Sequence, residues 1–288
     1  MSGLPIATDG SARTARQTFF TRARRSPTLI LGIIMLGLLV VASALAPIIA
    51  THDPAAQSLT GGLLPPSFEH LLGTDQLGRD IFSRMLFAGQ TDLRIAFLAA
   101  LTPFVTGIVL GLVSGYFGGW LDYVIGRIVD TVIAFPFYVI VISIVFAVGA
   151  GETGIFVAFA LVGWVGYARV VRVTTTAMKS SAWVAAARGG GLSHARVILR
   201  HLLPNVLPQA VVLLMSEIIA IMVAVVTLGY LGLGIQPPTP DWGTMISDGQ
   251  TFVTTKWWIS TIPGLAVIYT GISLSLVGDG LGDAWRVK

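Results

Sequence analysis

Trp183–Pro208 reads WVAAARGGGLSHARVILRHLLPNVLP. A small-residue run, three glycines and a basic amphipathic stretch stand here in a chain otherwise apolar enough for lipid. Ser180 or Ser181 can N-cap a helix running to Arg188. Ala185-Ala186-Ala187 is a strong helix former that offers almost no side-chain bulk. Gly189-Gly190-Gly191 stops it, because glycine takes the left-handed backbone that a helix end needs. Ser193 can N-cap a second helix, predicted to end near Leu203 because Pro204 disfavours helix at the residue before it. Val197, Ile198 and Leu202 form one apolar stripe of that helix, and Arg196 and Arg200 stand an i,i+4 step apart. On physical grounds the pair is either an amphipathic element lying on anionic lipid or a docking element for a partner.

The flanking sequence is membrane sequence. Of 288 residues, 54% are hydrophobic and 11% charged, with mean hydropathy +0.82. Soluble domains carry about 25% charged residues, so the chain lacks the polar surface for a water-facing globule. It has no cysteine. That excludes disulfides, thiolate metal sites, a Cys nucleophile and a lipoprotein signal. Six runs have the ~20 residues a bilayer crossing needs, or approach it: Thr28–Ala50, Ile95–Phe117, Thr131–Gly151, Thr153–Ala168, Val206–Gly232 and Trp257–Gly278. Each must be helical, since lipid offers the backbone no partners. The expected class is therefore an all-α integral membrane protein with six transmembrane helices.

With the N-terminus inside, fourteen of the 18 Lys and Arg fall on the cytoplasmic side: Arg13, Arg16, Arg22, Arg24, Arg25, Arg127, Arg169, Arg172, Lys179, Arg188, Arg196, Arg200, Arg286 and Lys288. Only Arg79, Arg84, Arg94 and Lys256 fall outside. This positive-inside bias puts the 183–208 stretch in the cytoplasm. A cleaved signal is the rival reading of the first run, which ends in Ala44-Leu45-Ala46, but the run exceeds a usual signal core. The expected division is a cytoplasmic tail at 1–27, with residues 1–20 disordered, then a first span plus outer loop at 28–92, then a core of five helices at 93–288. Pro- and Gly-rich segments 51–92 and 235–256 read as ordered outer loops.

The opening stretch resembles the EAA loop of ABC-importer permeases: Ala185, Ala186, Ala187, Gly191, Leu203 and Pro204 occupy its positions without a gap, with Ala185 standing where the family has Glu. Other segments resemble the dipeptide/oligopeptide branch of that family. They are Gly73-Thr74-Asp75-Gln76-Leu77-Gly78-Arg79-Asp80, Gly115–Trp120 with Asp122, Arg127–Asp130 leading to Phe135-Pro136, and Tyr167–Arg169 with Arg172. Leu231–Pro238 with Asp241-Trp242-Gly243, and Gly278–Leu281 with Asp283-Ala284, complete the set. The resemblance implies a type I permease fold and a C-type subunit. Its implied partners are a homologous B-type subunit, two cytoplasmic ATP-binding subunits that hold ATP and Mg, an extracytoplasmic solute-binding protein and membrane lipid, with no nucleic acid. It further implies that the loop at 181–204 couples to the ATPase through Ala185, Ala186, Ala187, Arg188, Gly191, Arg196, Arg200 and Pro204. The ligand class is peptide, with a nickel chelate, glutathione or a glycan-peptide as alternatives.

Remaining charges carry two readings each. Asp75, Arg79 and Asp80 bind substrate termini or fix their loop by capping and ion pairing. With Gln236, Asp241 and Trp242 they are the outer-loop candidates for a gate or a binding-protein contact. Glu217 is an acid at membrane depth, hence a pathway candidate by default or a partner in a helix–helix hydrogen bond; relatives carry their Glu where Val225 stands. Asp130 is expected at a helix N-terminus. The four histidines, His52, His70, His194 and His201, are divided between opposite faces and suggest no metal site. No catalytic group and no cofactor is expected in this chain. It lacks a GxxxxGK[ST] phosphate loop, since Lys179, Lys256 and Lys288 follow Met, Thr and Val. Gradient-driven secondary transport would show internal repeats, and a membrane enzyme would show GxSxG or HExxH; neither pattern is clear.

Overall fold

The computed structural model describes residues 21–58 and 60–285. The tail 1–20, with Arg13 and Arg16, lies outside the described residues, as do Leu59, Arg286 and Lys288. Helices make up nearly all the regular structure among the described residues, beside one isolated bridge between Thr74 and Asp80.

Ser26 caps the first apolar helix, α1 (Pro27–Ala44), by accepting from Leu29 N at 3.3 Å. A break at Leu45 leads into a single turn, α2 (Ala46–Ile49). The next helix, α3 (Ile81–Phe117), has 37 residues and starts fourteen before the apolar run at Ile95. The outer loop therefore ends at Asp80, not Asp92. Arg84 and Asp92 interrupted the apolar signal without interrupting the helix, because both side chains are buried among polar partners.

Thr131–Gly151 is not one continuous helix. Gly119–Ile133 (α4) and Phe137–Val148 (α5) meet at 91° across Phe135-Pro136, where Pro136 has no N–H to continue a helix. The twelve residues of α5 cover about 18 Å, short of the ~30 Å of a bilayer core. Asp130 lies in the last turn of α4, so its expected place at an N-terminus is corrected; Asp122 holds the first turn. The fourth span is longer than expected: α6 (Glu152–Val162) and α7 (Trp164–Lys179) join at Gly163 and carry helix past Arg169.

Four further helices follow: α8 (Ala182–Gly189), α9 (His194–Val197), α10 (Leu203–Tyr230) and α11 (Trp242–Gly249). The last, α12 (Trp258–Trp285), packs along α1. Among the described residues, five helices are long and apolar enough to cross a membrane, or six if the bent α4–α5 pair counts as one span.

The centre of the bundle is α3 against α7. Gly107, Gly111 and Gly115 stand one turn apart on α3 and let the two backbones close. A Cβ at Gly111 would lie 2.7 Å from Val171 Cβ, and one at Gly115 would lie 2.7 Å from Arg172 O. Small residues every fourth position serve the same purpose in other membrane helix pairs.

Candidate functional site: the two ends of the bundle

The ~55 Å of α3 separates two polar assemblies. At its C-terminal end the 181–204 loop is seated. Helix α8 closes in a Schellman motif: Gly191 N–H donates to Arg188 O at 3.0 Å and Leu192 N–H to Ala187 O at 3.2 Å. Gly191 carries the left-handed residue of that motif, φ +81°. Ser193 caps α9, accepting from Arg196 N at 3.4 Å. Ser181 holds the N-cap position of α8, but its hydroxyl donates to Met178 O at 2.6 Å instead.

Pro204 does not end the helix at Leu203, contrary to the sequence expectation. Residues Ile198–Leu202 form a π turn, and Leu203 N–H reaches back to Ile198 O. This wider turn accommodates the missing N–H of Pro204, and α9 runs through it into α10. The loop's second arm is thus continuous with a membrane helix.

The loop's inner face is apolar. Val184, Val197 and Leu202 are buried in a cluster with Ile108, Leu112 and Tyr116 of α3, Val171 of α7 and Val206 and Ala210 of α10. Tyr116 Oη and His194 Nδ1 add a hydrogen bond at 2.8 Å. The outer face carries the other named residues. Ala185, Ala186, Arg188, Gly191, Arg196, Arg200 and Pro204 are exposed and Ala187 is half-buried. None of the three arginines forms an ion pair among the described residues. A rigid inner seat and a small, cationic, unpaired outer face suit a docking element.

At the opposite end the two outer loops lock together. Arg79 Nε donates to Asp75 Oδ2 at 2.6 Å, and its Nη2 donates to Asp248 Oδ2 at 2.9 Å. Asp80 caps α3, accepting from Ser83 N at 2.8 Å. Burial would lift the Asp80 carboxyl, but hydrogen bonds from Ser83 and His70 outweigh it and hold the group below the usual value. Asp241 caps α11 through Thr244 N at 3.0 Å, and burial raises its carboxyl despite that bond. Trp242 N–H donates to Asp92 Oδ2 at 2.9 Å, tying the second loop to α3. Asp75, Arg79, Asp80, Asp241 and Trp242 are all buried. In this chain they form the buried frame of this end. Gln236 alone of the six is exposed. Asp92 and Asp248 are the partners that sequence reasoning missed; a charge next to an apolar run was the only signal.

Glu217 lies midway along α10 against Gly166, whose Cβ would sit 3.2 Å from Oε1. It forms no hydrogen bond among the described residues, so the helix–helix bond that was one of its two readings is not made. The histidines do not stay scattered: His52 and His70 converge on Asp80.

Residues 107–286 match the family model described as binding-protein-dependent transport system inner membrane component, and residues 14–66 match the N-terminal TM domain of oligopeptide transport permease C. A dipeptide transport system permease protein of Bacillus subtilis is 35% identical over 94% of this chain and 85% of its own. A probable D,D-dipeptide permease protein of Escherichia coli is 33% identical over 95% and 94%. A glutathione transport system permease protein of Pectobacterium atrosepticum is 34% identical over 100% and 96%. The inward-facing MetNI methionine ABC transporter shares the fold, with TM-score 0.57 and 17% identity over 70% of this chain and 97% of that one. The all-α bundle is thus the type I ABC-importer permease fold, and the chain belongs to the family of inner membrane components of binding-protein-dependent transport systems, in its permease-C branch.

Proposed function

We propose that this chain is the C-type half of a heterodimeric translocation path that imports a dipeptide or short peptide. Its partners are a B-type permease, two cytoplasmic ATP-hydrolysing subunits and an extracytoplasmic binding protein. The observation that carries the reading is the 181–204 loop. Its exposed Ala-rich, cationic face is fixed to α3 and α7 and is continuous with α10, so a push on the loop moves three spanning helices together. The peptide class rests on relatives bearing dipeptide names. ATP and Mg belong to the ATPase subunits, and Glu217, unpaired, is a residue of the path.

Topology tests the reading. Ser67, Ser193 and Thr239 are exposed, and the chain has no cysteine, so each Ser or Thr→Cys variant carries one probe. In intact cells an impermeant maleimide should label Ser67→Cys and Thr239→Cys, and should reach Ser193→Cys only after lysis. Labelling of Ser193→Cys in intact cells inverts the chain and rules out ATPase docking through this loop.

A second test concerns Ala185. It is exposed at the place of the family Glu, so Ala185→Glu meets no obstacle within the chain. ATPase subunits should copurify as well as with the parent chain, or better by about 0.5–1.5 kcal/mol if the carboxylate finds a donor. Loss of those subunits would show a groove unlike that of the family.

A further inference from the structure

We propose that His52, His70 and Asp80 form a binding site for a divalent transition ion, of which Zn2+ is the type, at the loop end of the bundle. The inference is independent of what the permease transports.

The three residues come from separate places. His52 follows the turn after α1, His70 lies deep in the long loop, and Asp80 begins α3. Asp80 Oδ1 lies 3.0 Å from His70 Nδ1 and 3.8 Å from His52 Nδ1. One ligand atom from each residue lies within 4.8 Å of the other two. A tetrahedral zinc with Zn–N and Zn–O near 2.0–2.1 Å has ligand–ligand edges of about 3.3 Å. One carboxylate–imidazole separation is slightly shorter than that edge, the other is somewhat longer, and the edge between the two imidazoles is within 4.8 Å. The His52 side chain is 36% exposed, and its Nδ1 also lies 3.0 Å from Thr51 Oγ1.

Ligand chemistry agrees with this. Two imidazoles and one carboxylate form a three-residue set that leaves one position open. A cavity of about 420 Å³ borders all three residues, so a water can complete the shell. Asp53 and Glu69 line the same cavity and lend it negative charge. The remaining Asp80 oxygen is already oriented: Ser83 N and Ser83 Oγ donate to Oδ2 at 2.8 and 2.7 Å. That leaves Oδ1 facing the two rings, whose centroids lie 4.6 Å apart at a 31° tilt. Fixing of a ligating carboxylate by outer hydrogen bonds is the usual second layer of a metal site.

The site would act as a clamp. Residues 50–80 contain little regular structure, and the ion would join their beginning, middle and end.

The test uses the assembled transporter, purified with a tag free of histidine, stripped with chelator and dialysed against micromolar ZnCl2. Metal is counted by mass spectrometry, and Co2+ substitution reports geometry by its visible spectrum. Asp80→Ala would remove a helix cap and is unsuitable. His52→Gln and His70→Gln keep a hydrogen-bonding side chain, and His194→Gln with His201→Gln is the control at the other end. The parent should hold one more zinc per complex than His52→Gln/His70→Gln. Each single variant should lose affinity by at least about tenfold, the control pair should lose none, and Co2+ should give a tetrahedral spectrum. Equal zinc in the parent and the double variant overturns the proposal and leaves a hydrogen-bonded His–Asp cluster. Folding is read on the same samples by retention of the partner subunits.

Discussion

Gly191→Val is expected to lower ligand-stimulated ATP hydrolysis and uptake by about 5- to 150-fold while the chain still inserts and assembles. Gly191 sits at φ +81° as the left-handed residue of the Schellman motif that ends α8. A β-branched residue is a genuine outlier in that region. Holding it there costs about 1–3 kcal/mol, which corresponds to about 5- to 150-fold in the population of the docked geometry. Space is not the constraint, since a Cβ at Gly191 meets nothing within 4 Å. Two controls separate backbone conformation from bulk. Gly191→Asn should retain most activity, because Asn tolerates the left-handed region. Gly189→Ala should retain all of it, because Gly189 is helical and also meets nothing within 4 Å. Full stimulation in a well-assembled Gly191→Val transporter would remove the turn from the coupling route.

The proposed route rests on more than the loop itself. Val184, Val197 and Leu202 seat it in a cluster shared with α3, α7 and α10, so displacement cannot be absorbed locally. At its far end α3 is capped by Asp80 and, through its own Asp92, accepts the Trp242 backbone N–H. The buried frame of the outer loops and the seat of the inner loop are therefore two ends of one stiff element.

Much of this was legible in the sequence because lipid permits so few structures. Apolar length gave the spans, and glycine and capping residues gave the loop's turn, including Gly191 and Ser193. What was hidden follows from tertiary partners. The start of α3 was hidden because Arg84 and Asp92 look like loop residues until Asp75, Pro54 O and the Trp242 backbone are placed beside them. Pro136 was readable as a breaker, but the 91° bend it allows was not. Pro204 was over-read: the exclusion it imposes on an α turn is met by a π turn. His52 and His70 both fall in the outer loop by the span assignment, yet seventeen residues separate them and no periodicity reports that they meet.

Gly111→Leu is expected to prevent assembly of the transporter, and the comparison with Gly37 makes the reason measurable. Both are helical glycines in apolar spans, and in an isolated helix alanine is preferred over glycine by about 0.5–1 kcal/mol. At Gly37 a Cβ meets nothing within 4 Å, so Gly37→Ala should be neutral or slightly stabilising, and Gly37→Leu tolerated. At Gly111 the same Cβ would lie 2.7 Å from Val171 Cβ, 2.8 Å from Val171 Cγ1 and 2.8 Å from Ala168 O. Backbone oxygen cannot move aside as a side-chain tip can, so α3 and α7 must separate. Overpacking by one methyl typically costs about 1–3 kcal/mol. Gly111→Ala should therefore lower the thermal midpoint of the detergent-solubilised complex even though it favours the helix, and Gly111→Leu should leave no assembled complex. Separating α3 from α7 also opens the seat of the 181–204 loop, because Val171 belongs to both contacts. In surviving Gly111→Ala complexes, stimulated ATP hydrolysis should fall further than basal hydrolysis does. Equal thermal midpoints for the Gly111→Ala and Gly37→Ala complexes would mean that α3 and α7 do not close on their glycines, and the stiff path from the outer frame to the coupling loop would lose its central contact.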